Sequence, residues 1–134
     1  MKLLVFSDLH TSAEAARSLL ARAAGADLLI GAGDFANQHR GLNICLDILA
    51  ACGKPALLVP GNNETPEALR DACRGWPGAR VLHGEGFEVL GRSFFGLGGG
   101  VPPTVEHCPA TRVVFGVSLP RPLSRSTASP YMSE

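Results

Sequence analysis

Six residues in three short stretches could do chemistry together: Asp8 and His10, then Asp34, then Asn62, Asn63 and Glu64. One imidazole nitrogen, two carboxylates and an amide oxygen make a mixed ligand set. Such a set suits Mn²⁺, Fe or Zn²⁺ better than Ca²⁺, which prefers all-oxygen shells. Asp8 and His10 stand two apart just past an apolar run, so both can enter one site while Leu9 turns away. A carboxylate such as Asp34 can bridge two ions, and paired ions about 3.5–4 Å apart are the usual device for in-line displacement at phosphorus. Taken singly, Asp8, Asp34 and Asn62 also read as polar caps of strand ends or of following helices. Capping does not require histidine at 10 or this order of residues, so the joint reading is a metal site.

The elements that must position these residues are legible. Leu3–Phe6, Leu28–Ile30 and Ala56–Val59 are short unbroken apolar runs, as expected of strands buried on both faces of a sheet. Thr11-Ser12-Ala13-Glu14 reads as a capping box with Thr11 as the cap, and Ala16, Leu19, Leu20 and Ala23 follow at helical spacing up to Gly25. Leu42, Cys45, Leu46 and Leu49 share a face of a second helix closed by Gly53 and Pro55. Thr65 caps a third helix with Pro66 at its first position, and Gly75 and Pro77 end it. Strand–helix alternation predicts an α/β fold with a mostly parallel sheet and flanking helices. In such sheets the carboxyl ends of the strands line the ligand crevice, which is where all six residues fall.

Arg80–Leu82, Phe87–Leu90 and Ser93–Leu97 are three further β-like pieces with no room for helices between them, so hairpin-like pairing is predicted. Past Gly98-Gly99-Gly100 the character changes, and only Val113–Val117 resembles a strand. The triple glycine could cradle phosphate through its amides or form a tight turn. The last 17 residues hold five serines, three prolines and two arginines, a composition that predicts disorder.

Asp8-Leu9-His10, Gly33-Asp34 and Gly61-Asn62-Asn63-Glu64, each after a buried strand, resemble the first three motifs of the calcineurin-like metallophosphoesterases. The resemblance covers about residues 1–100. It implies a partial metallophosphoesterase sandwich in which Asp8 and His10 hold the first of two divalent ions (Mn, Fe or Zn), Asp34 bridges and Asn62 binds the second. Family members commonly have histidine where this chain has Asn63, placed to stabilise the transition state or protonate the leaving group. Asparagine can donate a hydrogen bond there but is no general acid near neutral pH. The family completes its site with a later histidine and a Gly-His-x-His element. No Gly-His-x-His occurs here, and beyond Glu64 only His83 and His107 remain. Residues 1–104 therefore read as the amino-terminal part of a calcineurin-like phosphoesterase domain, and 105–134 as a divergent, disordered tail. A truncated or frame-shifted reading would produce such a change after Thr104.

Composition narrows the partners. Twelve basic and twelve acidic residues give zero net charge, so no broad nucleic-acid or anionic-membrane surface is indicated. Cys45, Cys52, Cys73 and Cys108 form no C-x-x-C pair and read as reduced thiols in a cytoplasmic setting. The amino terminus has no signal-peptide apolar core, and no run is long enough to span a membrane. His39, His83 and His107 read as surface residues, and Asp47 and Asp71 as solvent-side helix charges.

The expected function is phosphoester hydrolysis, on a monoester or a diester, by metal-activated water, from an incomplete site. Two alternatives stay open. One is a non-catalytic scaffold or binding protein with the same fold. The other is a phosphatase with Asp8 as covalent nucleophile, which would want a second aspartate at position 10 and leaves Gly61–Glu64 unexplained.

Overall fold

Leu28–Ala32 and Ala56–Val59 can be apolar on both faces because both faces are covered. In the computed structural model, which describes residues 1–99 and the backbone of a strand at Val114–Ser118, they are the middle strands of a four-stranded parallel sheet. The sheet runs β1 (Leu3–Phe6), β2 (Leu28–Ala32), β3 (Ala56–Val59), β4 (Ala79–Val81), in sequence order. The helices α1 (Ala13–Ala23), α2 (Leu42–Ala50) and α3 (Pro66–Ala72) are the crossovers between successive strands. A second, antiparallel sheet is formed by β5 (Glu85–Val89), β6 (Arg92–Leu97) and β7 (Val114–Ser118).

Side-chain alternation sorts the core into two layers. Phe6, Leu29, Leu58 and Val81 face the helices and pack with Ala16, Cys45, Leu46, Leu49 and Leu69. Leu28, Ile30, Leu57 and Val59 face the other way and pack with Leu82 and Phe94. The fold is thus a helix layer, a parallel sheet and an antiparallel sheet, the α/β class expected.

Several local expectations shift. The cap of α1 is Ser12, whose hydroxyl accepts the Ala15 N–H at 3.1 Å, one residue later than predicted. Thr11 instead takes a left-handed backbone (φ 64°) and donates its N–H to the Phe35 carbonyl. Thr65 and Pro66 start α3 as read, with the Ala68 N–H on the Thr65 hydroxyl at 3.1 Å. The three β-like pieces predicted to pair as hairpins divide: β4 pairs in parallel with β3 after crossing by α3, and of the three only β5 and β6 form a hairpin. Leu90 (φ 52°) and Gly91 (φ 69°) make its two-residue turn, the left-handed pair that matches strand twist.

β1 is not buried on both faces. Leu3 and Val5 share a face with Leu28 and Ile30, their register partners, but are 40% and 60% exposed. β1 lies at the end of the strand order, and the second sheet meets the first at β3. The strand predicted at 113–117 is displaced by one residue, and the expected disorder of the tail, His107 and Cys108 lie outside the described residues. Among the described residues no helix is long and apolar enough to cross a membrane.

Candidate metal centre

Three loops leave the carboxyl ends of β1, β2 and β3 and meet above the sheet. Two glycines let the second and third approach: a Cβ on Gly33 (φ 84°) would stand 2.8 Å from the Gly61 Cα and nitrogen. The first and second loops are tied by backbone bonds, from Asp8 N–H to the Gly33 carbonyl (3.1 Å) and from His10 N–H to the Asp34 carbonyl (3.0 Å).

This tie brings Asp8, His10 and Asp34 together. One ligand atom from each lies within 4.8 Å of the others. The cause is not strand alternation, because Asp8 (φ 58°), His10 (φ 43°) and Asp34 (φ 59°) all adopt left-handed backbone. Aspartate tolerates that region better than most residues, and strained backbone of this kind gathers at functional sites. Leu9 does turn away, into the core.

The electrostatics suit a cation. Asp8 Oδ1 lies 3.4 Å from His10 Nε2, and its Oδ2 accepts the Ser7 hydroxyl at 2.6 Å. Asp8 and His10 are exposed, whereas Asp34 is only 4% exposed. Asp34 Oδ1 accepts the Asn62 N–H (3.0 Å), the Asn63 N–H (3.2 Å) and the Asn63 Nδ2 (3.0 Å). Oxygen and imidazole donors at this spacing fit a borderline divalent ion. A cavity of about 320 Å³ adjoins Asp8 and is lined also by Ser18, Leu19 and Arg22.

Asn62 adjoins the cluster through its backbone bond to Asp34, half-buried. Asn63 is joined to Asp34 through its side chain. His39 and His83 are exposed, as are Asp47 and Asp71, the latter paired with Arg74 at 2.8 Å. Gly98 serves a close approach: a Cβ there would stand 2.8 Å from Pro60 Cδ, against the start of the third loop.

Glu64 carries more than its motif position suggested. It is 5% exposed, and its carboxylate accepts three backbone N–H groups: Asp34 (2.7 Å), Gly61 (2.8 Å) and Ala36 (3.2 Å). It therefore staples the second loop to the third. A glutamate three residues into a loop of small polar residues, ahead of a capped helix, was the only sequence signal for this.

Residues 1–93 match the calcineurin-like phosphoesterase superfamily domain. A similar fold is found in the crystal structure of TT1561 of Thermus thermophilus, with a TM-score of 0.57 and 21% identity over 66% of this chain. The match spans 44% of that chain. No curated protein matches this chain.

Proposed function

The chain belongs to the calcineurin-like phosphoesterase superfamily, and from that membership we propose that it binds divalent metal at Asp8, His10, Asp34 and Asn62 to hydrolyse a phosphomonoester or phosphodiester. The observation that supports this most is the convergence of Asp8, His10 and Asp34 from two loops, with ligand atoms within 4.8 Å. Bound metal would supply an acidified water and a clamp on the phosphoryl oxygens. The chain's own residues then have separate tasks. Asp8 and His10 would hold one ion, Asp34 would serve both, and Asn62 would offer its amide oxygen to the second. The aspartates act as ligands, so no covalent phospho-enzyme is part of this reading. We propose residues 1–104 as the phosphoesterase part of the chain and 105–134 as a separate tail.

A scaffold or binding role is the second reading. It is favoured by Asn63, which stands where family members commonly have histidine and is no general acid near neutral pH. One assay separates the two: purified chain, added Mn²⁺ and an activated aryl phosphodiester, whose leaving group needs little help from an acid. Turnover abolished by Asp34→Asn supports the hydrolase. Metal binding without turnover supports the scaffold.

A further inference from the structure

Asn63 has both ends of its side-chain amide engaged by neighbouring loops. Nδ2 donates to Asp34 Oδ1 at 3.0 Å, and Oδ1 accepts the Gln38 N–H at 3.0 Å. The orientation is fixed by chemistry, since a flipped amide would set oxygen against a carboxylate and NH₂ against an N–H. The Asn63 carbonyl also accepts the His39 N–H at 3.0 Å. We propose that Asn63 is a positioning residue for the metal centre, acting on it through the Asp34 carboxylate. The proposal rests on the metal-ligand reading given above and refines it.

Asp34 sits in a left-handed conformation of a kind that persists when its surroundings hold it. Glu64 holds its backbone N–H, and the Asn62–Asn63 segment holds its side chain. Rotating the carboxylate would break three bonds to Oδ1 at once, so its direction is held. Removing a partner that orients a ligand in this way typically lowers metal affinity about 10–100-fold. The other arm of Asn63 secures a two-residue turn in which Gln38 (φ 48°) and His39 (φ 63°) are both left-handed without glycine. Backbone bonds between Asn37 and Arg40 close that turn at 2.9 and 3.0 Å. Asn63 thus couples the aim of Asp34 to a strained turn beside it.

The test is Mn²⁺ affinity, measured by chelator competition on the full chain and its variants. Asn63→Ala and Asn63→Leu are expected to bind about 10–100-fold more weakly. Asn63→His is expected to restore most of the affinity, because its Nδ1 stands where the asparagine Nδ2 does and can donate to Asp34. Unchanged affinity in Asn63→Ala, with affinity lost in Asp34→Asn, overturns the positioning role and leaves the metal centre standing. Unchanged affinity in Asp34→Asn overturns the metal centre itself. Should the three Asn63 variants fail to fold, the side-chain amide signals of Asn63 in the unaltered chain decide by NMR. They should shift with Zn²⁺ and stay put when inorganic phosphate is then added; the reverse pattern overturns the proposal.

Discussion

Gly61 lies so close to Asp34 that a Cβ at position 61 would stand 2.5 Å from the Asp34 nitrogen. No real Cβ tolerates that approach, and the neighbour is backbone, which cannot swing aside. Gly61→Ala should therefore force the second and third loops apart and cost about 1–3 kcal/mol or more. Gly75→Ala is the control, because a Cβ there meets nothing within 4 Å. Urea denaturation of the two variants should separate them, and equal midpoints would contradict the close approach.

Removing the Glu64 carboxylate should be costly in a different way. Glu64→Ala leaves the Asp34, Ala36 and Gly61 N–H groups without their acceptor. Hydrogen bonds to a charged group contribute about 1.5–3 kcal/mol each, so a loss of about 3 kcal/mol or more is expected. Glu67→Ala, exposed in the first turn of α3, should change stability by about 0.5 kcal/mol. Similar unfolding curves for the two variants would remove Glu64 from its stapling role.

Three kinds of information differed in how far the sequence carried them. The parallel sheet was readable because Leu28–Ile30 and Ala56–Val59 are apolar without alternation, the pattern that two-sided burial produces. The same inference failed at β1: Leu3 and Val5 are just as apolar, yet their face lies beyond the second sheet's cover. Neighbours set burial, and a four-residue run does not encode them. Asp8, His10 and Asp34 were readable as a set from residue type and strand context. The left-handed backbones that bring them together were not, since none is glycine. Nor were the bonds that Glu64 and Asn63 make across about 30 residues of chain, because propensity sees only local sequence.

The exposed face of β1 gives a stability contrast. Val5→Ala should cost under about 1 kcal/mol, since its side chain is already in water, whereas Leu28→Ala on the same sheet face should cost about 2–5 kcal/mol. Denaturation midpoints check this. A large loss at Val5 would show that the face is covered in solution.

Burial pushes the Cys73 thiol up from 9.0 to about 11. The unfolded chain ionises first as pH rises, so the stability due to this thiol is whole below about pH 9 and is lost as pH passes through about 11. Cys45 shifts the same way, with burial outweighing a backbone hydrogen bond from Thr11. Stability measured from pH 8 to 11 should fall less steeply in Cys73→Ala than in the unaltered chain. Parallel curves would contradict the buried, protonated thiol. Alkylation of Cys73 by a thiolate-selective reagent should likewise be slow at pH 8.

The proposed metal centre stands or falls with Asp34. Asp34→Asn and Asp47→Asn remove the same charge, but Asp34 stands in the cluster with Asp8 and His10 while Asp47 is exposed on α2. Metal content after loading with Mn²⁺ or Zn²⁺ and desalting is the direct measurement. Asp47→Asn should retain what the unaltered chain binds, and Asp34→Asn should lose most of it. Equal metal in the two variants would contradict the metal centre.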